Sequence, residues 1–96
     1  MSDSVQITVE GTPNPNAAKF VLNRDLPEPE SRSFFSRASA EGDPLASRLF
    51  AIPGVRALLL VENFITVTKR EDHDWPDLVG HVEAAIREAW EEPLDG

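Results

Sequence analysis

The chain has 96 residues, a formal net charge of −8 and no cysteine. That length suits one domain, which we predict to span residues 1–96, with an ordered core over about residues 4–90 and an acidic tail at 91–96. The composition excludes disulfides and thiolate-ligated metal sites within these residues, and the charge argues against nucleic acid and anionic membranes, which recruit Lys and Arg.

Membrane and secretory signals are absent from the sequence pattern. No apolar run approaches the roughly 18 residues of a membrane span. The first ten residues lack the basic flank and apolar stretch of a secretory signal. We therefore expect a cytoplasmic protein without a membrane partner.

The first predicted element is a half-buried strand, in which Val5, Ile7 and Val9 alternate with polar residues. The segment 11–16 interrupts it, because its two prolines lack backbone donors and restrict the residues before them. Alternation resumes over residues 18–22. The pattern predicts a β-hairpin with a long, stiff connection.

The middle of the chain is less regular. Residues 25–30 are typical of a Pro-rich acidic loop, residues 33–36 of a short strand and residues 38–42 of a loop. A helix is predicted to begin at Asp43-Pro44, because Asp caps free N–H groups and Pro fits the first helical turn. It is predicted to end before Pro53-Gly54.

The second half predicts a hairpin followed by a long helix. Residues 55–62 form an apolar run typical of a buried strand, Asn63 marks a tight turn, and residues 64–69 are β-branched and aromatic. Asp74 is the predicted cap of the last helix. Its apolar stripe consists of positions 78, 79, 82, 85, 86, 89 and 90. Two helices on one face of a small, mainly antiparallel sheet predict an α+β two-layer sandwich.

Residues of catalytic type are sparse. The sequence contains no P-loop, GxGxxG or HExxH motif. His73 lies between Asp72 and Asp74, but a specific transition-metal site needs three or four convergent ligands, so an ordinary acidic surface is favoured. His81 falls on the polar flank of the last helix. We therefore expect no enzyme, no catalytic residues, no cofactor and no metal.

The segment Thr12–Asn16 is the most informative stretch. Prolines on both sides of Asn14 pre-order the loop, and the amides of Asn14 and Asn16 both donate and accept hydrogen bonds. Such a loop suits docking on a partner's backbone. The alternative is turn chemistry that holds one strand against the next, and the residue types alone favour this alternative.

Basic residues near strand ends are a second feature. Lys19, Lys69 and Arg70 form a small basic spot in one interpretation and ordinary solvated strand ends in the other, which is favoured. Residues 52–55 indicate a structural corner between helix and strand. Trp75 and Trp90 are more typical of packing than of binding.

Three pieces of the chain together resemble one family. They are Thr12-Pro13-Asn14-Pro15-Asn16-Ala17 with Lys19-Phe20, then Pro44-Leu45-Ala46 with Leu49-Phe50 and Ile52-Pro53-Gly54-Val55, then Phe64–Lys69 followed by Trp75. In this order they resemble the N-terminal domain of Nfu/NifU-like iron–sulfur scaffold proteins. The resemblance runs from about Val5 to Ile86, and it is loose between Asn23 and Gly42.

The resemblance implies a small α+β sandwich and a setting in iron–sulfur cluster biogenesis. In longer relatives a second domain follows, and its Cys-x-x-Cys holds the cluster. That activity does not carry over here, because these residues include no cysteine. The domain itself is not understood to be catalytic.

The polar members of the family motif are the predicted partner-binding residues Thr12, Asn14, Asn16, Lys19 and Lys69. We predict a stand-alone, non-enzymatic interaction module that binds a Cys-containing iron–sulfur scaffold or carrier protein in trans. One alternative is a small-ligand-binding or enzymatic protein with Lys69 or His81 at the rim of a deep apolar pocket. Another is self-association through an exposed sheet edge.

Overall fold

The computed structural model describes residues 5–26 and 31–90. The predicted acidic tail, part of the predicted acidic loop and the packing of Trp90 lie outside the described residues and side chains. The regular elements are β1 (Ile7–Gly11), β2 (Ala17–Leu22), β3 (Arg32–Phe34), α1 (Pro44–Phe50), β4 (Val55–Val61), β5 (Phe64–Lys69) and α2 (Trp75–Trp90).

The strands form one sheet in the order β1-β2-β5-β4-β3, and every neighbouring pair is antiparallel. Both predicted hairpins are present, β1 with β2 and β4 with β5. Phe20 lies opposite Ile65 across the central strand pair. The α+β two-layer architecture is therefore confirmed.

The core lies between the sheet and the two helices. Phe20 and Ile65 from the sheet meet Leu49 from α1 and Ile86 from α2, and all four are fully buried. Burying a side chain of this size contributes roughly 1.5–3 kcal/mol. Residues between the buried ones point to the other face of the sheet, because side chains alternate along a strand.

Helix α1 begins as its sequence predicts. The side chain of Asp43 accepts a hydrogen bond from the backbone N–H of Ala46 at 3.0 Å, and Pro44 occupies the first turn. The same carboxylate pairs with the guanidinium of Arg32 on β3. A cap of this kind is worth about 1 kcal/mol. Within the described ranges, neither helix is both long and apolar enough to cross a bilayer.

The region after β3 differs from the prediction. The strand covers Arg32–Phe34 rather than residues 33–36, and Ala38–Ala40 form one turn of 3₁₀ helix rather than a plain loop. Ser36 and Ser39 exchange backbone and hydroxyl hydrogen bonds at 2.8–3.3 Å, so the chain leaves the sheet at this point. Phe35 is left 78% exposed.

The turn between β4 and β5 also differs in detail. It comprises Glu62 and Asn63, and β4 ends at Val61 rather than at residue 62. Glu62 adopts a φ of 44°, the left-handed conformation expected of a tight hairpin turn. The backbone carbonyl of Asn63 accepts from the N–H of Leu22 at 2.8 Å, which fixes the turn to β2.

Candidate partner-binding site

The loop between β1 and β2 is held by its own polar groups. The hydroxyl of Thr12 lies within hydrogen-bond distance of the carbonyl oxygens of Asn14 and Ala17, at 2.9 and 3.0 Å, and accepts from the N–H of Asn14. The side-chain oxygen of Asn14 accepts from the N–H of Asn16 at 2.9 Å. The turn chemistry anticipated for these residue types is therefore present.

Turn chemistry leaves part of each amide available. The side-chain oxygens of Asn14 and Asn16 both accept hydrogen bonds within the molecule. Neither side-chain NH₂ group has a bond to another residue in the part of the chain that the structure describes. Asn14 is exposed together with Pro13 and Pro15. The loop thus presents amide donors on a backbone that is already ordered.

Lys69 supports this loop from the sheet. It follows Ile65 and Val67 on the face that the helices cover, and it is only 8% exposed. Its backbone N–H donates to the carbonyl of Asn16 at 2.7 Å, and its ammonium donates to the side-chain oxygen of Asn16 at 3.1 Å. The favoured interpretation of Lys69 as a solvated strand end is wrong, because its place in the strand alternation turns it inward.

The electrostatic surroundings of Lys69 are unusual. Its ammonium also lies 3.4 Å from the carbonyl of Arg70, so both acceptors are neutral oxygens. Among residues 5–26 and 31–90, no carboxylate forms an ion pair with it. Burial of an ammonium is costly without hydrogen bonds. The bond to Asn16 therefore matters to both residues.

Trp75 holds the loop from the helix side. Its indole N–H donates to the carbonyl of Pro15 at 3.0 Å, and its ring contacts Phe20 with 6.3 Å between centroids. The predicted packing role is present, but the hydrogen bond to the loop was not predicted. The only feature of the sequence that links Trp75 to the loop is that both belong to the family motif.

Lys19 does not join the other candidates. It lies between the buried residues Ala18 and Phe20, so it points to the face of the sheet opposite Lys69. Its ammonium lies 4.2 Å from the ring centroid of Phe64, a cation–π contact. The hypothesis of one basic spot formed by Lys19 and Lys69 is therefore wrong.

The corner at residues 52–55 is structural, as its sequence indicates. Gly54 adopts a φ of 101°, and a Cβ placed there would approach the ring of His73 to 2.8 Å. The carbonyl of Gly54 accepts from the N–H of Arg70 at 2.8 Å. His73 thus packs on the corner, and no group of three or more His, Asp or Glu residues is arranged to share a metal within the described segments.

Comparison with known proteins matches this chain to one protein family. The family model described as "Scaffold protein Nfu/NifU N terminal" matches residues 7–92. The human protein "NFU1 iron-sulfur cluster scaffold homolog, mitochondrial" is 40% identical over 81 residues, which cover 83% of this chain and 32% of that protein. The chain spans about a third of the length of that relative.

Two solved structures are similar. The crystal structure of protein SAV1430 from Staphylococcus aureus has a TM-score of 0.73 at 25% identity, covering 88% of this chain and 99% of that one. The solution structure of a NifU-like protein from Saccharomyces cerevisiae has a TM-score of 0.79 at 21% identity, covering 94% and 82%. The second likeness concerns the fold alone.

Proposed function

The chain belongs to the family of Nfu/NifU scaffold N-terminal domains, and on that premise we propose that it is a non-enzymatic protein-interaction module of iron–sulfur cluster assembly. Curated relatives are named as iron–sulfur cluster scaffold homologs. We propose that the protein is located in the cytoplasm. The human relative is named as mitochondrial. Fractionation of the source cells distinguishes these two locations.

The residues of this chain do not fit an iron–sulfur cluster. Iron–sulfur clusters are held by thiolates, and the 96 residues include no cysteine. The two histidines are not brought together with enough acidic residues to replace thiolates anywhere in the described ranges. We therefore assign no cluster-binding step to these residues and propose that the thiolates belong to a separate scaffold or carrier protein.

The proposed contact is the loop that carries Asn14 and Asn16. The observation that carries this proposal is the order of the loop: Lys69 from β5 binds the side-chain oxygen of Asn16, and Trp75 from α2 binds the backbone carbonyl of Pro15. Thr12 and Lys69 are positioning residues, and Asn14 and Asn16 are the contacting residues. A loop ordered in advance loses less conformational entropy when it binds.

Lys19 contacts the partner only if the partner extends beyond the loop. It lies on the sheet face that the helices leave uncovered, beside Phe64. A partner that contacts the loop reaches Lys19 only if it also extends over this face. We keep Lys19 in the proposal as a separate contact and expect its substitution to have the smaller effect.

The test uses substitutions that preserve the loop. Asn14→Asp retains the oxygen that accepts from Asn16, and Asn16→Asp retains the oxygen that accepts from Lys69, but both remove amide donors. Asn23→Asp is the matched control, because its side-chain oxygen accepts from the backbone N–H of Gln6 at the other end of the hairpin.

Affinity capture from the source organism measures the outcome. We expect the wild type and the Asn23→Asp control to retain a Cys-containing scaffold or carrier, and the Asn14→Asp/Asn16→Asp variant to lose it. Retention by the double variant would show that the loop is not the contact. Failure of the folded wild type to retain any such protein would contradict the proposed function itself.

The alternative of a small-ligand-binding or enzymatic protein rests on a deep apolar pocket with Lys69 or His81 at its rim. His81 lines a depression of about 390 Å³ between α1 and α2, together with Arg48 and Glu88. That depression is open to solvent and His81 is exposed. A rise in melting temperature with a metabolite would favour this alternative over an interaction module.

A further inference from the structure

A second surface lies at the corner between α1 and β4. It is an open depression of about 370 Å³, which we call the arginine groove, and its lining includes Phe35, Arg37, Ile52, Pro53, Arg56 and Arg70. Neither the loop residues 12–16 nor Lys69 line it. The groove therefore involves other residues than the contact proposed above, although its Arg70 directly follows Lys69 in the chain.

The charge of the groove is opposite to that of the protein. Three of the nine basic side chains of the chain line it, and none of the acidic residues within the described ranges does, although the chain has 17 acidic residues in all. Arg56 is exposed and makes no ion pair within residues 5–26 and 31–90. The groove is thus a local cationic surface on an acidic molecule.

Acidic residues do occur beside the groove. Arg56 and Arg70 also line a neighbouring depression with Glu71 and Asp72. The Nε of Arg70 lies 3.9 Å from the Oδ1 of Asp72, and both side chains are more than half exposed. Ion pairs of this kind contribute little in water. Both arginines therefore keep the capacity to bind another carboxylate.

The groove also has an apolar side. Phe35 is 78% exposed, more than any other large apolar side chain in the described part of the chain. Ile52 and Pro53 line the same groove. Aromatic and arginine side chains together are the usual composition of the energetically important centre of a protein interface.

Several parts of the groove are held in place. The Nη2 of Arg37 donates to the carbonyl of Phe50 at 3.0 Å, and the backbone of Arg70 donates to Gly54 at 2.8 Å. Gly54 itself is packed against His73. A guanidinium group held in place, as that of Arg37 is, binds planar carboxylates through paired hydrogen bonds.

From these observations we infer that the arginine groove binds an acidic linear segment of a partner protein, in which Asp or Glu residues flank one large apolar side chain. The carboxylates bind the guanidinium groups, and the apolar side chain packs against Phe35 and Pro53. A short segment contacts only the groove, whereas a nucleic acid strand extends onto a surface whose net charge of −8 repels phosphates.

A random 12-residue peptide library selected on the folded chain tests this inference. We expect the enriched peptides to combine acidic residues with a Leu or Phe. In fluorescence anisotropy, Arg56→Gln and Phe35→Ser should each weaken the best peptide by about tenfold, the scale of an interface residue that matters. Both side chains are exposed, so these variants are expected to fold.

The matched control is Arg87→Gln, which also removes one positive charge but lies on α2 and pairs with Glu83. It should change peptide affinity by less than about twofold. The inference is overturned if no peptide is enriched, if the enriched peptides lack acidic residues, or if Arg87→Gln weakens binding as much as Arg56→Gln. Equal displacement by a single-stranded DNA oligonucleotide would assign the groove to nucleic acid instead.

Discussion

The ammonium of Lys69 donates to the side-chain oxygen of Asn16 across 53 positions of sequence, at 3.1 Å. This bond joins the end of β5 to the loop before β2, and the backbone N–H of Lys69 adds a second bond to the same residue. A nearly buried cation and an exposed loop thus depend on one asparagine.

Asn16→Ala is expected to destabilise the protein by about 1.5–3 kcal/mol, because it leaves the ammonium of Lys69 buried with one acceptor fewer. Asn16→Asp should be at least as stable as the wild type, since the carboxylate keeps the acceptor and adds an opposite charge. Urea denaturation followed by circular dichroism measures both changes. Equal destabilisation by the two substitutions would show that the bond does not contribute.

Lys69→Met is expected to be less harmful than Asn16→Ala. It removes the buried charge together with its need for acceptors, and an apolar side chain of similar length fills the site. In the Asn16→Ala/Lys69→Met double variant, the two losses of stability should not add. Once the ammonium of Lys69 is absent, Asn16→Ala no longer leaves it without an acceptor. A double-mutant cycle from urea denaturation tests this. Simple additivity would contradict a direct interaction.

Trp75→Phe separates the hydrogen bond from the ring contact. The substitution keeps an aromatic ring near Phe20 but loses the N–H that donates to Pro15, so we expect a loss of about 0.5–1.5 kcal/mol. Thermal and urea unfolding measure the loss. The amide protons of Asn14 and Asn16 should also exchange faster in this variant, and unchanged exchange would show that Trp75 does not hold the loop.

Gly54→Ala is expected to destabilise the protein by more than about 1 kcal/mol, because residues with a Cβ are strained at a φ of 101°. The new Cβ would also collide with the ring of His73. Gly80→Ala is the matched control. Apart from its chain neighbours and the backbone of its own helix, no described atom lies within 4 Å of a Cβ placed at Gly80, so this substitution should stabilise α2 by about 0.5–1 kcal/mol.

Local patterns predicted much of the fold. Period-two alternation located β1 and β2, and Asp43 with Pro44 located the start of α1. The same alternation also predicts that Lys69 is buried, since residues 65, 67 and 69 share a face. We nevertheless expected Lys69 to be exposed to solvent, because it is charged and ends a strand. Applied consistently, it would have separated Lys19 from Lys69.

Other features depend on tertiary structure. The contacts of Asn16 with Lys69 and of Pro15 with Trp75 exist only because β2 lies beside β5 and α2 begins next to the loop. The exposure of Phe35 follows from two serine hydroxyls that end β3 early. A short sequence motif encodes neither the order of the strands nor the competition between serine hydroxyls and strand pairing.

The hydrogen bond between Trp75 and Pro15 has a consequence for folding cooperativity. The first turn of α2 and the β1–β2 loop share this bond, so undocking the helix removes one of the loop's supports. Native-state hydrogen exchange should therefore assign both segments to a single cooperative unit with a common opening free energy. An isolated peptide spanning β1 and β2 lacks α2 and β5, and it should not maintain the loop conformation found in the whole domain.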